Sequence, residues 1–106
     1  MPLLAWITFF IAAVLEVGGD AVVRKGLQRG SLAIIVLGCI LLGTYGVVVN
    51  SVAWDFSKML GVYVGFFALV SVLYGIFFFG EDIPLTTWGG CALIVAGGLL
   101  IQFGPK

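Results

Sequence analysis

The sequence has no histidine and only five basic and five acidic residues among 106, so charged side chains make up 9% of it. Soluble domains carry roughly a quarter charged residues. The formal net charge is zero, which denies the chain the basic surface that nucleic-acid binding requires. Cysteine is limited to Cys39 and Cys91, both inside apolar runs. With no histidine to join them, they read as small buried hydrophobes and not as metal ligands or a disulfide framework. No metal site and no cofactor is expected. An intramembrane enzyme is also disfavoured, because no nucleophile stands beside a base and acid–base chemistry would rest on carboxylates alone.

What the sequence does have is apolar surface. Hydrophobic residues make up 62%, and the mean hydropathy is +1.26. A short chain buries proportionately little of its surface on folding, so no water-soluble fold hides this much. Lipid is the expected solvent. A helix needs about 20 apolar residues to cross a bilayer, and four stretches qualify: about 3–23, 32–53, 59–79 and 84–103. Between them lie Arg24-Lys25-Gly26-Leu27-Gln28-Arg29-Gly30-Ser31, then Asp55-Phe56-Ser57-Lys58, then Gly80-Glu81-Asp82. Ser31 suits an N-cap of the second helix, and Pro84 suits the first turn of the fourth. The fold class expected is all-α integral membrane, with residues 1–106 forming a single four-helix transmembrane domain.

The first segment is expected to span and not to be a cleaved signal. Met1-Pro2-Leu3 carries no basic side chain, the apolar run is long, and Glu16 interrupts it. Arg24, Lys25 and Arg29 fall on one side of the membrane, with Lys58 and Lys106 on the other. Basic residues in short loops set orientation, and three against two is almost no bias. Copies inserted both ways and paired antiparallel are one consequence. A single, weakly biased orientation is the other.

Glu16 lies about 5 Å past the centre of the first apolar stretch, at 1.5 Å of rise per residue. An ionisable group at that depth costs a few kcal/mol and marks a functional site by default. A low dielectric penalises the charged form of a carboxyl, which suits proton binding and release near neutral pH. The same carboxylate can pair with a cation. Asp20 and Arg24 follow at i+4 and i+8, along the same helix face. Asp20 is read either as an interfacial ion pair with Arg24 or as a polar entrance to Glu16. Tyr63 and Ser71 in the third helix are deep, hydrogen-bonding pocket candidates, with Tyr45 and Tyr74 behind them. Trp6, Trp54 and Trp88 read as anchors at headgroup level. Glycine supplies 16 residues. Gly61-x-x-x-Gly65 and Ala92-x-x-x-Ala96 are small-xxx-small pairs of the kind that let helices approach closely. Four helices enclose little volume, so a substrate path calls for two copies.

Several of these residues carry a resemblance that runs the length of the chain. Ala13-Val14-Leu15-Glu16-Val17 followed by Lys25 resembles the first-helix signature of the small multidrug resistance superfamily of bacterial transporters. Gly61-Val62-Tyr63 is similar to that family's entry to its third helix. Gly90-x-x-Leu93-Ile94-x-x-Gly97 resembles its dimerisation segment, and Trp88-x-Gly90 with Gly97 and Ile101 is similar to its YnfA-like branch. The resemblance implies an antiparallel, dual-topology homodimer in the bacterial inner membrane, multi-pass, exporting substrate by alternating access. It implies that Glu16 is shared by proton and substrate, that Tyr63 lines the pocket, and that Gly90, Leu93, Ile94 and Gly97 pack the dimer. Two residues depart from the pattern. Phe66 stands where the family presents tryptophan, keeping a weaker π-face for a cation, and Asp20 has no counterpart in the typical first helix.

The leading expectation is a proton-coupled antiporter for small cationic or polar compounds. Its binding set is Glu16, Tyr63, Phe66, Asp20 and Ser71. Its expected partners are the substrate, protons, membrane lipid and a second copy of itself, with no nucleic acid. The alternative is a non-transporting membrane subunit or scaffold, in which Glu16 serves as interhelical hydrogen-bond glue.

Overall fold

The computed structural model describes residues 2–105; Lys106, one of the basic residues weighed for orientation, lies outside them. Four helices follow in order: α1 (Pro2–Arg29), α2 (Leu32–Asn50), α3 (Phe56–Phe79) and α4 (Leu85–Phe103). All four are long and apolar enough to cross a membrane, and no strand occurs among the described residues. The physical reason is the solvent. In hydrocarbon every backbone N–H and C=O must be satisfied inside its own segment, and a helix does that. Even runs rich in β-branched residues, such as Val47-Val48-Val49, are therefore helical.

Helix ends follow backbone chemistry more closely than polarity. α1 was expected to stop near residue 23 but continues through Arg29. Arg, Lys and Gln are good helix formers, so leaving the apolar region gives the helix no reason to end. Gly30 ends it. With φ at +65° it takes the left-handed conformation open to glycine. The Ser31 N–H then donates to the Gly26 carbonyl at 2.9 Å and the Gly30 N–H to Leu27 at 3.3 Å, the paired bonds of a Schellman turn. Ser31 caps α2 as expected, its Oγ accepting from the Ile34 N–H at 3.4 Å. Met59 N–H donates to the Asp55 carbonyl, so the charged separator Asp55–Lys58 is largely the first turn of α3. Gly80, at φ +63°, ends α3 by folding its own N–H and that of Glu81 back onto the Gly75 carbonyl.

The chain forms two compact units, residues 1–52 and 53–106, each a helical hairpin. In the first, α1 packs on α2 through small residues. A Cβ added to Gly38 would sit 2.8 Å from the Val23 backbone nitrogen and 2.9 Å from the Gly19 carbonyl oxygen. One added to Gly26 would sit 2.8 Å from the Ile35 nitrogen. Backbone meets backbone along this seam. On α1 the seam has a seven-residue period, with Ala5, Ala12, Gly19 and Gly26 all buried, the repeat that keeps one helix face against a partner.

In the second hairpin α3 packs on α4. Gly61 accepts the Ile101 side chain, Gly65 lies against Val95, and Gly98 lies against the carbonyls of Gly61 and Val62. Below these, Ala68, Val72 and Cys91 form a buried cluster with Ile76 and Ile83 against it. The expectation for the cysteines holds for Cys91 alone. Cys39 is exposed on α2, because the α1-facing side of that helix is taken by Ile35, Gly38 and Leu42.

Candidate functional site

Glu16 is half-buried near the midpoint of α1. Its surroundings are set by the hairpin register. Gly26 faces Ile35, Val23 faces Gly38, and Gly19 faces both Gly38 and Leu42, so α2 numbers rise as α1 numbers fall. Continued one turn, that register brings Tyr45 to the level of Glu16. The two groups are within electrostatic reach of one another. Tyr45, a secondary candidate by sequence, is therefore the aromatic residue that the first hairpin delivers to the carboxyl. A phenol is both a hydrogen-bond donor and an acceptor. It can donate to the carboxylate when Glu16 is ionised and accept from the acid when Glu16 holds a proton.

Asp20 lies one turn from Glu16 and is exposed, as is Arg24 a further turn along. The face carrying Glu16, Asp20 and Arg24 thus becomes steadily more open toward the α1–α2 turn. Ala13, just under one turn to the other side, and Phe9, about two turns away, are fully buried. The carboxyl of Glu16 sits where a closely packed stretch gives way to a polar one.

The remaining expected binding residues belong to the second hairpin. Tyr63 is buried, with 3% of its surface exposed, and Phe66 is half-buried. At 3.6 residues per turn, Tyr63, Phe66 and Val70 share the face of α3 opposite that of Gly61, Gly65, Ala68 and Val72, which meets α4. α3 therefore presents a row of aromatic and aliphatic side chains on one face and small residues on the other. Ser71 donates from Oγ to the Ala68 carbonyl at 2.8 Å. It lines a cleft of about 560 Å³ at the α3–α4 turn with Val72, Glu81, Asp82, Ile83, Pro84 and Thr87. Ser71 is thus placed beside the two loop carboxylates. Tyr74, the other secondary candidate, stacks on Phe78 with ring centroids 5.0 Å apart.

The four expected dimer-packing residues share one flank of α4. Gly90 and Gly97 have open space around them, Leu93 is 76% exposed and Ile94 38%. Ala92 and Ala96 are exposed as well. Among the expected anchors, Trp54 holds the Lys58 ammonium over its ring at 5.0 Å. Among the described residues, no group of three or more potential metal-ligating side chains converges.

A family profile described as "Uncharacterised BCR, YnfA/UPF0060 family" matches residues 3–106. The chain is similar to a UPF0060 membrane protein of Mycobacterium marinum, 37% identical over 101 residues covering 92% of this chain and 91% of that one. It is 34% identical over 103 residues to a UPF0060 membrane protein of Saccharopolyspora erythraea, covering 94% and 93%. A UPF0060 membrane protein of Synechocystis is 26% identical over 107 residues, covering 100% and 99%. No solved structure matches the chain.

Proposed function

Because this chain belongs to the YnfA/UPF0060 family of membrane proteins, a family like the small multidrug resistance transporters, we propose that it is a proton-coupled antiporter. Its cargo is a small cationic or polar compound. The observation that carries this reading is a half-buried carboxyl halfway along a helix long enough to span the bilayer, with a tyrosine at its level and within electrostatic reach.

The mechanism is competition for one group. Protonated Glu16 is neutral, hydrogen-bonds to the Tyr45 phenol and tolerates the low dielectric. Loss of the proton leaves an anion whose burial is unfavourable unless a cation joins it. A cationic substrate supplies that charge. Protonation from the far side removes the attraction and releases the cargo, so proton and substrate occupy Glu16 alternately. Asp20, on the open side of the same face, attracts the cation toward the entrance. Tyr63 and Phe66 offer π-faces to it, and Ser71 offers a hydroxyl.

Two copies pair antiparallel as a homodimer in the bacterial inner membrane. Two observations support the pairing. The α4 flank carrying Gly90, Leu93, Ile94 and Gly97 is open within a single chain. The basic residues are divided almost evenly between the two sides of the membrane. Two Glu16 carboxyls facing a common path titrate as a pair, with macroscopic pKa values.

The test is transport in reconstituted vesicles. A panel of guanidinium and quaternary ammonium compounds is applied under an imposed pH gradient, and substrate-induced current is recorded for the native chain and Glu16→Gln. Gradient-dependent current in the native protein alone supports the proposal. No current from a folded, dimeric native protein turns the reading toward a membrane subunit, and current without gradient dependence toward a channel.

A further inference from the structure

The apolar part of α1, Leu3 through Val23, is about 31 Å long at 1.5 Å per residue, close to the ~30 Å hydrocarbon thickness of a bilayer. The helix does not stop there. It continues through Arg24, Lys25, Gly26, Leu27, Gln28 and Arg29 before Gly30 turns the chain. Those six added residues rise about 9 Å, enough to cross one headgroup layer, whose depth of roughly 5–7.5 Å is half the difference between a ~30 Å core and a 40–45 Å whole bilayer. The basic end of α1 is therefore held at the level of the lipid phosphates.

Its polar residues are also sorted around the helix. Gly26 is buried against Ile35, and Val23 faces Gly38, which fixes the α2-facing side. Taking 100° per residue, Arg24, Gln28, Lys25 and Arg29 fall in that order on an arc of roughly 140°, centred opposite that side. All four are exposed. Lys25 and Arg29, at i and i+4, stand one above the other about 6 Å apart at Cβ, a spacing that two long cationic side chains bridge around one phosphate. Arg24 sits at the edge of the arc nearest the carboxyl of Asp20, four residues before it, while Lys25 and Arg29 lie on the far edge. The Schellman turn at Gly30 and the backbone contact of Gly26 with Ile35 keep this end helical.

We propose that the last two turns of α1 are a docking site for the headgroups of anionic phospholipids, with Lys25 and Arg29 gripping the phosphate. Depth selects lipid over a soluble anion, since Lys25 lies within the headgroup layer and the Arg29 side chain, tilted toward the helix N-terminus, reaches back into it. Charge selects anionic lipid over zwitterionic, because a headgroup with its own ammonium brings a competing cation to the pair. The bound lipid would fix the height of α1, and so the depth of Glu16, in each copy from the leaflet that holds the basic end of its α1.

The experiment is native mass spectrometry of the full chain released from nanodiscs containing equal amounts of phosphatidylglycerol and phosphatidylethanolamine. The measured quantity is the ratio of the two lipids retained. Each basic residue near a membrane surface contributes a preference of about fivefold for anionic lipid. The ratio is expected to fall about fivefold in Lys25→Gln and in Arg29→Gln, and roughly 25-fold in the double variant. Lys58→Gln, at the other end of the membrane-spanning region, is expected to leave it unchanged, and Lys25→Arg to preserve it. Helicity by circular dichroism confirms that each variant is folded. An unchanged ratio in the folded double variant overturns the proposal, as does an equal fall in Lys58→Gln. Release of the retained lipid by millimolar inorganic phosphate overturns the assignment to a headgroup.

Discussion

Replacing Gly38 with alanine is the sharpest perturbation of the hairpin that carries Glu16. The new Cβ would lie 2.5 Å from Val23 Cγ2, 2.8 Å from the Val23 nitrogen and 2.9 Å from the Gly19 oxygen. A side-chain methyl can rotate away, but the other two atoms are backbone. To reach an ordinary contact of 3.4 Å from 2.8 Å, α1 and α2 must separate by about 0.6 Å along their closest line. Overpacking of this kind costs about 1–3 kcal/mol. Alanine also gains up to ~1 kcal/mol over glycine in a helix, which would mask part of the loss. Gly43→Ala supplies the correction. It lies on the same helix with nothing within 4 Å of the added Cβ, so it takes the propensity gain without the clash. The difference between the two variants isolates the contact and is expected to be about 1–3 kcal/mol, or roughly 5- to 150-fold in the unfolding constant. Reversible unfolding in mixed micelles, followed by circular dichroism, measures it. Equal stabilities would refute the reasoning, because the backbone contact at Gly38 would then have no energetic weight.

Other outcomes follow from the same geometry. Gly30→Ala forces a side chain into a backbone with φ +65° and is expected to destabilise by roughly 1–2 kcal/mol, read in the same unfolding assay. Ser31→Ala removes a cap whose hydrogen bond is long at 3.4 Å, so its cost is expected at the low end, about 0.5 kcal/mol. Tyr45→Phe keeps the ring and removes the hydroxyl beside Glu16. It should leave substrate-induced current measurable while moving its pH optimum, and an unmoved optimum would remove Tyr45 from the site. Asp20→Asn should weaken apparent substrate affinity without abolishing gradient-driven current, as measured by concentration dependence in vesicles.

The number of helices was legible because hydrophobic length alone decides whether a segment can span, and α2, α3 and α4 begin or end within about three residues of their expected bounds. The end of α1 was not. Arg24 to Arg29 read as a loop because they are polar, yet polarity ends a membrane span and not a helix. The glycine with positive φ was the true stop, and Gly30 was visible in the separator. Ser31 was readable as a cap because its chemistry is local.

The candidate site divides the same way. Glu16 stood out because its cost in lipid is intrinsic to the residue. Tyr45 did not, because its importance depends on the register of α2 against α1, which one helix viewed alone does not contain. A signal was nevertheless present. Ala5, Ala12, Gly19 and Gly26 recur every seven residues and mark the α1 face that meets α2. Setting that seam against Gly38 brings Tyr45 to Glu16. The pattern Gly61-x-x-x-Gly65, by contrast, marks a close approach made within the chain, between α3 and α4.

In the proposed mechanism Glu16 holds either a proton or a cationic substrate, never both. The most direct test is proton release on binding. A guanidinium or quaternary ammonium compound that drives current in vesicles is added to the detergent-solubilised protein in weakly buffered solution, below the pH at which Glu16 is fully ionised. An indicator dye follows the protons set free. The native chain should release protons in step with binding, and Glu16→Gln should release none. Binding without proton release in the native chain, or undiminished release from Glu16→Gln, would contradict the account.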